Sequence, residues 1–305
     1  MKTVKEYILN EKLVLKRKLS KQPEYTICPE SKDELYDIIE AEIEKNGWEC
    51  DLNHIDTSKI KSMSSLFAAG FNKFNGDISQ WNTSNVTNMS EMFENCKNFN
   101  CDISGWDVSS VKDMGYMFRH AKSFNQDLND WDVSNVEDMR WMFQGATEFN
   151  GDISKWNVGK VEDFNSMFSE SGFNNDISEW DMRSAIMVYN MFAGAKKFNQ
   201  PIGKWKFTQV EDMSGMFSFA EVFNQPIGDW NVETVNDMSY MFQYAKKFNQ
   251  PIGKWRPICC AKFPRMFNTA ESFDQDISSW KFAAHADTSE MFSCCPIKEN
   301  NKPTI

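Results

Sequence analysis

A tryptophan recurs along this chain at a nearly constant spacing. Consecutive members lie 25 residues apart, except for one interval of 24, and nine of the 11 tryptophans belong to the series. A phenylalanine follows each of the nine by 12 residues, and another precedes each by seven. The series is Trp81, Trp106, Trp131, Trp156, Trp180, Trp205, Trp230, Trp255 and Trp280. A unit of this length that repeats itself predicts a solenoid, in which each turn buries its apolar face against its neighbours.

Two hydrophobic periods alternate within the unit when the tryptophan is counted as position 1. Positions 23, 1 and 3, such as Ile103, Trp106 and Val108, have the spacing of a leucine-rich repeat and predict a short strand. Positions 9, 12, 13 and 16 follow the i, i+3, i+4, i+7 pattern of one helix face. We therefore expect an α/β repeat solenoid, a leucine-rich-repeat-like stack of short parallel strands and short helices. The tryptophans are expected to be structural and buried.

Several polar positions also recur. Position 20 is asparagine in every turn but the last, for example Asn100, Asn125 and Asn150, which predicts an asparagine ladder; a row of ligand contacts is the alternative. Positions 22 and 24 change together from Asp and Ser to Pro and Gly. Both pairs form turns, so turn chemistry is favoured over calcium binding, the other interpretation of a repeated Asp-x-Ser. Position 8 is mostly Asp, and we expect it to cap the predicted helix.

Composition narrows the functional classes. The net charge of -11 argues against generic binding to nucleic acid or anionic lipid, and no apolar run is long enough to span a membrane. Three widely separated histidines offer little for a catalytic triad or a metal site, so we expect no enzyme, metal or cofactor. Eight cysteines without an export signal suit a reducing compartment, and we expect a cytoplasmic protein. Cys96, Cys260 and Cys295 are expected to be packed, whereas a zinc site formed by the two adjacent cysteine pairs is disfavoured.

The pattern also predicts boundaries. Residues 1–30 form a lead-in that includes two possible strands, 12–18 and 25–28. Residues 31–50 form a capping helix, which begins with a capping box at Ser31 and Glu34 and ends at Gly47. The repeats span 51–292, and a polar tail, 293–305, is expected to leave the last turn poorly covered.

The repeats at 106–128, 131–153 and 230–252 strongly resemble the BspA-like leucine-rich-repeat family, also called the mycoplasma-type lipoprotein-associated repeat. The similarity covers about residues 51–292. It implies a non-enzymatic scaffold, with adhesion or host interaction proposed for some members, and it leaves the cell surface or a host cell as alternative locations. The family pattern contains no binding residues that could be transferred to this chain.

We expect a protein-binding or scaffold module. Positions 25, 2 and 4 should point outward from the predicted strands and form its recognition strip, acidic in the first half and more basic in the second. The alternatives are a self-assembling structural protein, joined through the C-terminal end, or a surface adhesin, and less favoured ones are a calcium solenoid or a hydrolase. The candidate partner-binding residues are Asp107, Asp130, Asp132, Asp181, Lys204, Lys206, Lys254 and Arg256.

Overall fold

The computed structural model describes residues 24–68, 70–283 and 285–304. Within them, one α-helix, α1, spans Lys32–Asn46, and a 3₁₀ helix spans Glu299–Asn301. The strands of the described residues are single parallel bridges, one per turn at position 8, with two further bridges near the N-terminal end, Ile27 to Ile55 and Asp51 to Asp77. The bridges at position 8 run through Ser62, Asn88, Asp113, Asp138, Asp163, Met187, Asp212, Asp237, Lys262 and Asp287. The repeat solenoid is therefore present, but it is built from turns.

The helix predicted at positions 9–16 is wrong. Tyr116 at position 11 and His120 at position 15 have φ angles of 62° and 56°, which no right-handed helix contains. Every second N–H of this segment donates to the next turn, as from Tyr116 to the Arg140 carbonyl at 2.8 Å. The intervening N–H groups bond three residues back, as from Met117 to the Met114 carbonyl at 3.2 Å. In a helix, all these N–H groups would bond to carbonyls of the same repeat. In this conformation, half of them bond to the adjacent turn.

The predicted strand at positions 23 to 3 is also absent, although its burial pattern is present. Trp106 and Val108 are 4% and 1% exposed, and Asp107 between them is exposed. The chain bends here instead, with the Trp106 N–H bonded to the Ile103 carbonyl at 3.1 Å. The indole supplies the bond between turns, since Trp106 Nε1 donates to the Ile78 carbonyl at 3.1 Å. All nine repeat tryptophans make the equivalent bond to the preceding turn.

The core consists of aromatic rows that run along the stack. The ring centroids of Phe118 and Phe143, both at position 13, are 5.5 Å apart, and each ring also packs on a second phenylalanine of its own turn. Trp131 and Trp156 are stacked at 6.4 Å with an angle of 2° between their planes. Each ring therefore fills the space above its copy, so the core is continuous from turn to turn.

The polar rows form bonds both between and within turns. Asn125 Oδ1 accepts the backbone N–H of Asn150 at 2.8 Å, and the same bond recurs along position 20. Asp274 replaces asparagine in the last turn because only an acceptor is required, and it accepts the Lys298 N–H at 2.9 Å. Asp at position 22 accepts the N–H of Ser at position 24 within one turn, as from Ser104 to Asp102 at 3.0 Å. These are Asx turns.

Both ends of the stack are covered. Ser31 accepts the Glu34 N–H at the start of α1, and Leu35, Ile39 and Ile43 are buried on the first turns. Ile27 adds one parallel bridge to Ile55; residues 1–23, with the other possible strand, lie outside the described residues.

The expectation of an uncovered C-terminal turn is wrong. Ile297 is 5% exposed, and the Ile277 N–H donates to the Asn301 carbonyl at 2.9 Å. The tail thus adds a partial turn to the stack, and self-association through that end stays a prediction.

Candidate functional site

The recognition strip predicted at positions 25, 2 and 4 lies on the surface, but three of its four candidate basic residues are close to acidic side chains of the preceding turn. Lys204 contacts Glu179 at 2.6 Å, and Lys254 contacts Asp229 at 3.0 Å. Arg256 lies 3.9 Å from Glu233. Each pair joins adjacent turns. The two lysine pairs do so because acidic and basic residues alternate along position 25 from Asp130 to Lys254, whereas the arginine pair joins position 2 to position 4. The predicted separation into an acidic and a basic half is absent along position 25 but present along position 2, which runs from Asp107, Asp132 and Asp181 to Lys206 and Arg256.

The acidic members of the strip also serve the backbone. Asp107 and Asp132 each accept the N–H of the serine two residues on, at 3.1 Å. Asp181 accepts the Arg183 N–H, and the Arg183 guanidinium beside it holds the pKa of that carboxyl below its usual value. Asp130 and Lys206 are simply exposed. The structure thus assigns to six of these eight residues a role in joining turns or shaping them.

A different surface carries aromatic side chains on backbone that is hydrogen-bonded between turns. We call it the ladder face: positions 10, 11, 14 and 15 of each turn, which accompany the backbone bonds between turns. Every tyrosine within residues 51–292 lies on it, and so does the repeat region's one tryptophan outside the buried series. Its aromatic residues are Tyr116, Trp141, Tyr189, Phe219, Tyr240 and Tyr244.

The first part of the ladder face is an aromatic and cationic cluster. The Tyr116 and Trp141 rings are stacked at 5.9 Å with 2° between their planes. The Arg119 guanidinium lies 5.6 Å from the Tyr116 centroid and 5.1 Å from that of Trp141. Arg140 lies 5.9 Å from the Tyr116 ring. We call these four residues the Tyr-Trp-Arg cluster.

Hydrogen bonds hold the cluster in place. Arg119 Nη1 donates to Glu94 at 2.8 Å, and its Nε donates to Gln144 Oε1 at 2.8 Å. These contacts link three consecutive turns through side chains, while the backbone bonds link the same turns beneath. Tyr116 and Trp141 remain partly exposed. The cluster therefore offers preorganised aromatic and guanidinium surface to solvent.

The acidic row at position 8 borders this face. The Asp138 carboxyl accepts the N–H of Arg140 at 2.9 Å, so these residues form Asx turns and do not cap helices as predicted. Burial raises the pKa of Asp138 and of Asp163. Lys262 interrupts the row and contacts Asp237 at 3.0 Å. In the described part of the chain, no three His, Cys, Asp or Glu residues lie where they could together hold a metal ion.

The cysteines are free thiols in the described residues. Cys96 and Cys260 are fully buried, and Cys295 is partly buried, as their repeat positions predict. Burial raises the pKa of Cys96 and of Cys260 to about 12. These thiols are therefore protonated at neutral pH and serve as packing groups.

The family comparison matches almost the whole repeat array. The family described as "Mycoplasma protein of unknown function, DUF285" matches residues 39–149, 125–225 and 200–303. The chain belongs to this family. The narrower BspA-like assignment stays a prediction, and no match is found among curated proteins.

One solved structure with some similarity is the crystal structure of a TLR13–ssRNA13 complex. Its sequence identity to this chain is 9%, and its TM-score is 0.27. The alignment covers 86% of this chain and 51% of that one, so this protein spans about half the length of that receptor chain. A likeness at this level carries no argument about fold or ligand. No helix in the described residues of the DUF285 chain is long and apolar enough to cross a membrane.

Proposed function

We propose that this DUF285 protein is a non-catalytic protein-interaction module that recognises its partner with the ladder face. The observation that carries the proposal is the Tyr-Trp-Arg cluster, in which two stacked aromatic rings and two guanidinium groups are fixed on a partly exposed surface. Tyrosine, tryptophan and arginine are the residues that most often dominate binding energy at protein interfaces.

Rigidity supports the same proposal. Side chains that are already ordered lose little conformational entropy on binding. The backbone beneath the cluster is bonded to the turns on either side, as from Trp141 N–H to the Asn165 carbonyl at 2.8 Å. The cluster is thus presented much as a binder presents aromatic anchors on a fixed scaffold.

We also infer that this solenoid is related to the leucine-rich-repeat fold class, with turns in place of the helices. One parallel bridge per turn and the buried repeat positions support this kinship. The adhesin alternative stays a prediction, and its partner surface would be the same ladder face.

The test places a photocrosslinking amino acid on each candidate surface. Benzoylphenylalanine at position 141 reports on the ladder face, and the same residue at position 206 reports on the originally predicted strip. Both sites are on the outside of the stack, so the two proteins are matched in fold and label. We expect covalent capture of one defined partner from lysate of the source cells at 141, with competition by unlabelled protein. Capture of that partner at 206 alone would refute the proposal.

A second pair of variants weighs the two surfaces energetically. Trp141→Ala should weaken binding of the captured partner by about 2 kcal/mol or more if the cluster is the centre of the interface. A charge reversal of Lys204, Lys206, Lys254 and Arg256 to Glu should leave binding in moderate salt nearly unchanged. Equal binding by Trp141→Ala and the parent protein would count against the ladder face.

A further inference from the structure

A cleft of about 730 Å³ opens on the surface beside the single 24-residue repeat. In the other turns two residues separate position 16 from the phenylalanine of position 19, as between Ala121 and Phe124. Here only Gly172 separates Ser171 from Phe173. The missing residue shortens the loop and leaves a notch in an otherwise regular surface. The cleft walls include Glu148, Glu170, Gly194 and Phe219.

A slot within this cleft is formed by three consecutive copies of position 15. Glu170, Gly194 and Phe219 occupy adjacent turns, and their N–H groups each donate to the next turn at 2.7 Å. Adjacent turns in such a ladder lie about 4.8 Å apart, so Glu170 and Phe219 lie roughly 10 Å apart along the stack. Gly194 has no side chain to fill the space between them.

The two walls of the slot differ in chemistry. A Cβ atom at position 194 would lie 3.1 Å from Glu170 Cγ and 3.6 Å from the Glu170 backbone nitrogen, so the glycine leaves the Glu170 side chain uncovered on the side of the next turn. Phe219 is 45% exposed, and one face of its ring is stacked on Tyr244 at 4.6 Å. Because these rings stack along the row, the other face of Phe219 is turned toward Gly194 and Glu170.

The cleft lining carries two carboxylates and two ammonium groups. Neither Glu148 nor Glu170 has an ion-pair partner among the described residues, whose ion pairs lie elsewhere. Glu221 is shared by Lys196, at 3.3 Å, and Lys246, at 3.1 Å, whereas Glu170 lies across Gly194 from the Phe219 ring. A carboxylate facing an aromatic ring across an open space is the arrangement that holds a planar cation.

We infer that this slot binds an arginine side chain of the partner protein. The guanidinium plane lies against Phe219, and its N–H groups donate to the Glu170 carboxylate. This inference rests on the proposed function, because the slot belongs to the ladder face. It specifies the partner as a protein that presents an exposed arginine.

The test uses a short peptide and its uncharged copy. The probes are Ac-Gly-Arg-Gly-NH₂, the same peptide with citrulline, and the same peptide with lysine, titrated into ¹⁵N-labelled full-length protein. We expect a saturable shift of the Gly194 amide resonance with the arginine peptide, and binding at least about fivefold weaker for citrulline and for lysine. Equal affinity for citrulline would refute a cation site, and equal affinity for lysine would refute a guanidinium slot.

Variants tie the effect to the slot. Glu170→Gln keeps the shape and removes the charge, and it should weaken the arginine peptide at least about fivefold. Gly194→Asn should block the slot without backbone strain, since Asn95 occupies the same repeat position with a φ angle of 63°. Glu271→Gln removes an equivalent exposed charge four turns away and should bind like the parent.

The outcomes separate this inference from the proposed function. Unchanged peptide binding in Glu170→Gln and Gly194→Asn would overturn the slot, and a thermal melt of each variant verifies that it is folded. The photocrosslink at position 141 lies in other turns and does not depend on the slot. A positive crosslink without peptide binding would therefore overturn the arginine slot alone. Arginine-specific peptide binding without a crosslink at 141 would instead count only against the Tyr-Trp-Arg cluster.

Discussion

Replacing Trp156 with alanine removes a ring from the middle of the tryptophan row. Trp156 is 3% exposed and lies between Trp131, at 6.4 Å, and Trp180, at 6.3 Å. Its Nε1 donates to the Leu128 carbonyl at 2.8 Å. The substitution therefore opens a cavity, separates two stacked pairs and removes a hydrogen bond between turns.

The magnitude follows from these contacts. Truncating a buried aromatic costs about 3–5 kcal/mol through the lost transfer energy and the cavity. A buried carbonyl left without its donor adds about 1–3 kcal/mol. The terms overlap, so we expect a loss of about 5 kcal/mol in the free energy of unfolding. Trp156→Phe retains a ring and loses the donor, and it should cost about half as much.

The loss should also be local in a stack where each turn touches its neighbours. Hydrogen exchange monitored by mass spectrometry in increasing urea should show the turns before Trp131 and after Trp180 opening at different urea concentrations. Trp141→Ala is the matched control, because it removes a partly exposed tryptophan of the ladder face and should cost about 1 kcal/mol. One cooperative transition at the parent's midpoint in Trp156→Ala would refute the reasoning.

Three further predictions follow from the polar rows and turns. A Cβ at Gly228 would lie 2.3 Å from the Pro251 carbonyl oxygen, so Gly228→Ser should cost about 1–3 kcal/mol by chemical denaturation, whereas Ser104→Gly should cost far less. Millimolar calcium or EDTA should leave Tm unchanged, because Asp102 already accepts the Ser104 N–H within its turn; a shift of several degrees would contradict this. Burial raises the pKa of Asp163 in the folded state. Protonation of Asp163 therefore stabilises the fold fully below the unfolded pKa of about 3.9, and this stabilisation is lost as the pH rises through the folded-state pKa. Asp163→Asn keeps an acceptor for the Asn165 N–H and should raise Tm at pH 7, with the gain vanishing near pH 4; a constant gain at both pH values would exclude titration as its cause.

The period of the tryptophans was sufficient to predict the stack and its burial pattern, and the capping box at Ser31 predicted the N-terminal helix. The local conformation was not predictable from the same pattern. Met114, Met117, Phe118 and Ala121 are all fully buried, as a helix face would be. Successive turns satisfy that spacing equally well when positions 11 and 15 adopt positive φ angles. Hydrophobic spacing reports which side chains face the core, and it does not report whether the N–H groups bond within a turn or between turns.

The recognition strip stays a prediction. Strand alternation predicts its exposure correctly, but exposure alone does not distinguish a binding surface from charges that pair between turns. The confinement of tyrosine to positions 10, 11 and 15 is visible in the sequence and would have indicated the ladder face. The 24-residue interval was equally visible, although the cleft it opens depends on the loop geometry of the neighbouring turns.

Backbone strain on the ladder face indicates where side chains matter. Positions 11 and 15 hold positive φ angles in turn after turn, and a non-glycine residue there costs about 1 kcal/mol relative to a relaxed conformation. Gly145, Gly194 and Gly215 show that glycine satisfies the same backbone at no such cost. Most turns nevertheless place a large side chain there, among them Trp141 and Phe219. Several of these side chains also stack between turns, as Tyr116 does on Trp141 and Phe219 on Tyr244. The recognition that we propose for the ladder face would account for large side chains at positions where glycine satisfies the backbone without strain.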